Sequence, residues 1–90
     1  MILQDFYDGK AFDAYTYFGA HIQPEGVVFR TYAPNADYIE VIGEFNGWNG
    51  QYMTQEGRSG VYSTVVSNAM VGQMYKYRIH GKNGSVVEKS

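Results

Sequence analysis

Hydrophobic and polar residues alternate with a period of two through most of this 90-residue chain. The clearest alternation covers residues 26–34, 37–45, 60–66 and 73–79. Because successive side chains of a strand point to opposite faces, this pattern predicts half-buried β-strands. Weaker segments at 20–24 and 85–89 bring the predicted total to roughly six strands.

Turn-forming residues separate these segments, and no helical pattern interrupts them after residue 19. The turn signals are Pro34-Asn35, Asn46-Gly47, Gly57 to Gly60, Gly72 and Gly81 to Gly84. Short strands at this spacing predict an all-β fold, an immunoglobulin-like antiparallel β-sandwich.

The alternation also predicts which side chains form the core. Phe29, Phe45, Tyr75 and Tyr77 are expected inside, with Ile39, Val41 and Ile79 on the same inward faces. The opposite, outward face is predicted to carry Val28, Tyr38, Glu40, Ile42, Glu44, Lys76 and Arg78. Glu40 and Glu44 are therefore interpreted as part of a solvated face.

The first eighteen residues follow a helical period instead. Ala11, Phe12, Tyr15 and Phe18 recur at spacings of three and four, which predicts a short N-terminal helical segment. The chain is thus divided into a helical docking segment, 1–18, and a sandwich, 19–90. The aromatic residues of the first segment are Phe6, Tyr7, Phe12 and Phe18. They are expected to contact a neighbouring domain or a second copy of the chain. The alternative is that this segment packs on the sandwich itself.

Charge and composition exclude several functions. The net charge is −2, and seven Lys and Arg are spread thinly, which argues against nucleic acid and anionic membranes as partners. No segment is long enough to span a membrane, and the first ten residues lack the basic start of a secretory signal, so a cytoplasmic location is expected. The chain has no cysteine and hence no disulfide or thiolate metal site.

No catalytic constellation is found. His21 and His80 are the only histidines, and no serine lies in a nucleophile motif. His21 is interpreted as a structural hydrogen-bonding residue, and His80 as an ordinary residue beside a turn. With no acidic cluster near either histidine in the sequence, neither a metal site nor a cofactor is expected.

The excess of aromatic residues leaves binding as the remaining chemistry. Trp48, the only tryptophan, lies between the pairs Asn46-Gly47 and Asn49-Gly50. An indole face attracts the C–H face of a sugar ring, and amides bind its hydroxyls. Trp48, Asn46 and Asn49 are therefore candidate carbohydrate-binding residues, with Lys76 as a cation if its strand neighbours the loop.

The competing hypothesis places the Trp48 ring in the core. A lone tryptophan in a small domain contributes more when buried, so a ring folded against Tyr52 or Met53 is the favoured alternative. Lys76 would then be a solvated strand residue.

Several short motifs together resemble a known family. They are Gly19-Ala20-His21, Phe29-Arg30, Ala33-Pro34-Asn35-Ala36, Gly43-Glu44-Phe45-Asn46-Gly47-Trp48, Gly60-Val61-Tyr62 and Tyr75-Lys76-Tyr77. In this order they resemble the amino-terminal module of bacterial 1,4-α-glucan (glycogen) branching enzymes, in carbohydrate-binding module family 48. The resemblance implies a sandwich that precedes a catalytic α-amylase-type barrel, and therefore a chain that is a piece of a longer protein and has no activity alone.

The resemblance also implies a ligand. In the similar glycogen-binding modules of the AMP-activated protein kinase β subunit, a tryptophan and a lysine that match Trp48 and Lys76 contact glucan. Those modules have a second stacking tryptophan after a turn, whereas this chain reads "HGKNGS" there, without an aromatic residue. Half of the expected aromatic platform is missing, so weak or absent binding is predicted.

Three functions remain open on this basis. The first is an accessory module that binds α-1,4-glucan for a branching enzyme. The second is a scaffold domain that docks on the catalytic barrel without touching glucan. The third is a stand-alone interaction or regulatory domain.

Overall fold

Two antiparallel four-stranded sheets make up the computed structural model, which describes residues 17–90. The first sheet joins, in spatial order, β1 (Gly19–Gln23), β2 (Gly26–Tyr32), β6 (Val61–Val66) and β5 (Thr54–Gln55). The second joins β4 (Gln51–Tyr52), β3 (Ala36–Gly43), β7 (Tyr75–Gly81) and β8 (Val86–Lys89). The predicted antiparallel all-β sandwich is confirmed.

The core lies between the two sheets and is centred on Phe29, which is 2% exposed. Its ring centroid lies 5.3 Å from that of Phe45 and 4.8 Å from that of Tyr75. The buried neighbours are Val27, Ala36, Ile39, Val41, Met53, Tyr62, Val66 and Tyr77. The predicted core positions Phe29, Phe45 and Tyr77 are confirmed, and Tyr75 packs against the core while partly exposed.

Three residues predicted to face solvent are in fact enclosed. Val28 and Ile42 are 6% and 3% exposed. The Glu40 side chain is only 14% exposed, because His80 and Arg78 lie against its carboxylate. Alternation along a strand therefore gave the direction of these side chains correctly, but not what covers them.

The strand boundaries differ most around the motif that carries Trp48. Strand β3 ends at Gly43, and Glu44–Asn46 forms a single 3-10 turn rather than the continuation predicted to residue 45. Phe45 is buried from this turn. Strands β4 and β5 were not predicted, because two residues are too few to show a period.

The N-terminal side of the sandwich is anchored by Tyr17. Its hydroxyl donates a hydrogen bond to Glu56 Oε1 at 2.6 Å, and Arg30 Cζ lies 4.6 Å from the centre of its ring. The predicted helical segment, with Phe6, Tyr7 and Phe12, otherwise lies outside the described residues. The predicted boundary between residues 18 and 19 stays a prediction. No helix within residues 17–90 is long and apolar enough to cross a membrane.

Candidate functional site

The turn after β3 is closed by the side chain of Asn46. Its Oδ1 accepts a hydrogen bond from the backbone N–H of Gly43 at 3.0 Å, and its Nδ2 donates to the carbonyl of Val41, also at 3.0 Å. Both ends of the amide are thus engaged within the protein. Asn46, predicted as a sugar ligand, is placed here as the residue that shapes the turn.

This turn projects Trp48 toward solvent. The backbone N–H of Trp48 donates to the carbonyl of Gly43 at 2.9 Å, while its side chain is 41% exposed. The predicted burial against Tyr52 or Met53 is therefore wrong. Met53 is buried in the core at 7% exposure, whereas Tyr52 is 71% exposed.

The backbone of Trp48 adopts a conformation that its side chain disfavours. Its φ is +63°, and it is the only non-glycine residue in the described part of the chain with a positive φ. A left-handed conformation costs an L-residue about 1–2 kcal/mol, and bulky residues rarely adopt it. Gly47 before it has the same φ of +63°, so two consecutive residues turn the chain sharply.

Strand β7 brings Lys76 beside the start of the turn. Across the β3–β7 ladder, Ile42 pairs with Lys76 and Gly43 pairs with Tyr75. Lys76 is half-exposed, and its Nζ lies 4.0 Å from Glu88 Oε1, an exposed ion pair of little energetic weight. The condition set from the sequence, that the lysine strand neighbours the loop, is met.

Asn49 also lies on the surface of the turn. Its Nδ2 donates to the carbonyl of Asn46 at 3.1 Å, in an exposed hydrogen bond. Its Oδ1 has no hydrogen-bond donor among residues 17–90 and can accept from a ligand hydroxyl.

The two histidines occupy different settings. His21 Nε2 lies 2.7 Å from the carbonyl oxygen of Phe18, which confirms its structural role. His80 Nε2 lies 2.8 Å from Glu40 Oε1, a pairing that the sequence concealed because the residues are forty positions apart. Across the described ranges, no three His, Cys, Asp or Glu side chains group as metal ligands would.

A separate polar network surrounds Glu56 on the first sheet. Burial raises the pKa of Glu56, but hydrogen bonds from Tyr17, Ser63 and Arg30 outweigh it and hold that pKa below its usual value. Arg30 Nε lies 3.2 Å from Glu56 Oε2. Burial and the hydrogen bond to Glu56 raise the pKa of the Tyr17 phenol. This network joins the chain before β1 to the sandwich and offers no open site.

Comparison with known proteins identifies the family. Residues 17–90 match the family model of carbohydrate-binding module 48, described as the isoamylase N-terminal domain. The 1,4-alpha-glucan branching enzyme GlgB of Jannaschia sp. (strain CCS1) is 42% identical over 72 residues, which are 80% of this chain and 10% of that enzyme. GlgB of Methylococcus capsulatus is 37% identical over 92 residues, 94% of this chain and 12% of the relative.

Solved structures agree on the fold. A pullulanase of Anoxybacillus sp. LM18-11, solved with maltotetraose, matches with a TM-score of 0.70 at 24% identity, over 94% of this chain and 12% of that one. The chain therefore spans about a tenth of the length of the proteins it matches. On the strength of the family match over residues 17–90, it belongs to carbohydrate-binding module family 48.

Proposed function

We propose that this chain is the α-glucan-binding module of a cytoplasmic 1,4-α-glucan branching enzyme, and that Trp48 provides its stacking surface. The names of the branching-enzyme relatives support the parent enzyme. In this role the module holds an α-1,4-glucan chain for a catalytic barrel elsewhere in the parent protein and performs no chemistry itself.

The exposed, left-handed Trp48 is the observation that carries the proposal. Glycine at this position would adopt the same φ without strain, and a polar residue would suit the solvent better. A bulky indole that is 41% exposed in this backbone conformation lowers the stability of the fold, so stability does not explain its presence. A planar face presented to solvent is what binding a sugar ring requires.

Neighbouring polar groups complete a shallow site. Lys76 can donate hydrogen bonds to sugar hydroxyls from the adjacent strand, and the Oδ1 of Asn49 can accept them. Asn46 acts indirectly, because its two hydrogen bonds fix the turn that presents the ring. With one indole and few donors, affinity is expected to be low.

Fluorescence and affinity electrophoresis test this function. Because Trp48 is the only tryptophan, its emission should respond when maltoheptaose is titrated into the 90-residue chain. Trp48→Ala should abolish retardation in amylopectin gels, whereas Tyr32→Ala, which removes a comparably exposed ring from the first sheet, should leave it unchanged. An unresponsive emission together with unretarded wild-type protein would refute glucan binding.

An apolar surface favours docking on the parent enzyme as a second function. Ile22, Met70 and Val71 are 69%, 67% and 81% exposed and line a cavity of about 220 Å³ that reaches Phe29 and Phe45. Exposed apolar groups of this kind are typical of interfaces. The occupant that fits is the remainder of the parent enzyme, since relatives extend far beyond this chain.

A charge on this surface separates docking from glucan binding. Val71→Asp should lower the melting temperature of the full-length parent enzyme and leave amylopectin retardation of the isolated module unchanged. Because Val71 is exposed, the module itself should fold normally. An unchanged melting temperature of the parent would exclude this surface as the interface.

A further inference from the structure

Two exposed tyrosines lie side by side on the outer face of the second sheet. Tyr38 is 40% exposed and Tyr52 is 71% exposed, and their ring centroids are 5.8 Å apart in an edge-to-face arrangement. Tyr52 pairs with Glu40 across the β3–β4 ladder, and Tyr38 is two residues from Glu40 on the same strand. Both rings therefore point away from the core.

The orientation of the Tyr38 ring is fixed by the residues beside it. The His80 ring stacks on Tyr38 with centroids 4.0 Å apart and 10° between the planes. His80 Nε2 is held by Glu40 Oε1 at 2.8 Å, and Arg78 Nη1 lies 3.8 Å from the same oxygen. A ring held in this way loses little conformational freedom when a ligand binds.

The hydroxyl groups of this pair differ from those of the buried tyrosines. In the part of the chain that the structure describes, neither Tyr38 nor Tyr52 makes a hydrogen bond through its hydroxyl. By contrast, the buried Tyr62 and Tyr77 each donate to a backbone carbonyl at 3.2 Å. Exposed rings with open hydroxyls can both stack on a sugar and bond its hydroxyl groups.

We propose that Tyr52 and Tyr38 form a second α-glucan contact on the outer face of the second sheet. This inference rests on the proposed glucan-binding role of Trp48. The two tyrosines would supply the additional aromatic surface that the "HGKNGS" turn lacks. Tyr52 follows Trp48 by four residues, so their Cα atoms are at most about 14 Å apart. A glucan chain of several units can span that interval, whereas a very short one cannot.

The surroundings favour a carbohydrate over a protein partner. Charged side chains joined in ion pairs lie on the strands of the same sheet, β3, β7 and β8: Glu40, Arg78, Lys76 and Glu88. Charged residues are depleted at the centre of protein interfaces. A sugar, by contrast, can stack on a ring and bond its hydroxyls to the polar and charged side chains around it. The apolar surface around Val71, by comparison, is of the kind that suits a protein interface.

Dependence on glucan length tests the second contact. Maltotriose and maltoheptaose are each titrated into the protein while Trp48 emission is recorded. The proteins compared are the wild type, Tyr52→Ala, Tyr52→Phe and the control Tyr32→Ala. Tyr52→Ala should weaken maltoheptaose binding about tenfold, the effect of losing one stacked ring, and leave maltotriose binding unchanged. Tyr52→Phe, which keeps the ring but not the hydroxyl, should lie between Tyr52→Ala and the wild type.

The possible failures can be told apart. If the wild type binds maltoheptaose through Trp48 but Tyr52→Ala matches Tyr32→Ala, the second contact is refuted and the proposed function stands. If the wild type binds neither oligosaccharide, the proposed function fails and the second contact fails with it. Far-ultraviolet circular dichroism of each variant confirms that the comparison is made between folded proteins.

Discussion

The side chain of Asn46 joins the end of β3 to the turn that presents Trp48, through 3.0 Å hydrogen bonds to Gly43 and Val41. Asn46→Ala removes both bonds and leaves a part-buried carbonyl without its partner. We expect the free energy of unfolding to fall by about 1–3 kcal/mol, and glucan retention to weaken because the ring loses its support. Urea unfolding and amylopectin electrophoresis measure the two effects.

Asn49→Ala is the matched control for that substitution. It deletes the same kind of side chain from the same turn, but removes only one exposed hydrogen bond. Its stability should stay within about 0.5 kcal/mol of the wild type, while glucan affinity falls. Equal losses of stability in the two variants would show that Asn46 is not the residue that shapes the turn.

Trp48→Gly should separate stability from binding. Glycine adopts a φ of +63° without penalty, so the free energy of unfolding in urea should be about 1 kcal/mol higher for this variant than for Trp48→Ala. Both variants should fail to bind amylopectin. If Trp48→Ala proved the more stable of the two, the positive φ at residue 48 would not strain a non-glycine residue.

The fold could be predicted from the sequence wherever a strand was long enough to show its period. Strand β7, with Tyr77 inside and Lys76 outside, is such a case. The two-residue strands β4 and β5 carry no period and exist because longer strands hold them in place. The core position predicted for Phe45 is confirmed although its strand assignment is wrong, because the 3-10 turn also directs this side chain into the core.

The site was predictable only in its local part. The contiguous motif indicates Trp48 and Asn46 as candidates, but the role proposed for Asn46 depends on where its amide points. Glu40 and His80 are adjacent only through the β3–β7 register, which no local pattern reveals. The exposure of Trp48 accompanies a left-handed backbone, which a tryptophan rarely adopts and which no sequence pattern predicts here.

Acid should weaken the sandwich through Glu56. Its pKa is held below the ordinary value of 4.5 by hydrogen bonds that exist only in the folded state. The stabilisation is therefore complete above about pH 4.5 and is lost as the pH falls through the lower folded-state pKa. Glu56→Gln should lower the free energy of unfolding by about 1 kcal/mol at pH 7, and the difference from wild type should shrink toward pH 3.

Glu25→Gln provides the comparison for this acid effect. Glu25 is exposed and forms no ion pair with any described residue. The pH dependence of its unfolding, followed by circular dichroism, should overlie that of the wild type. A gap between Glu56→Gln and wild type that stays constant from pH 7 to pH 3 would contradict the titration of Glu56 as its source.

Gly50→Ala should disturb the support of the tyrosine pair. Gly50 has a φ of +96°, and a Cβ there would lie 2.5 Å from Glu40 Oε2, so alanine both strains the backbone and displaces the carboxylate that holds His80. We expect a loss of about 2–3 kcal/mol in thermal unfolding. Gly72→Ala, at a similar φ of +90° with no atom within 4 Å of the added Cβ, should lose only about 1–2 kcal/mol, through backbone strain alone. The difference between the two variants measures the Glu40 contact, and equal losses would mean that Glu40 moves aside freely and does not hold the rings of His80 and Tyr38 in place.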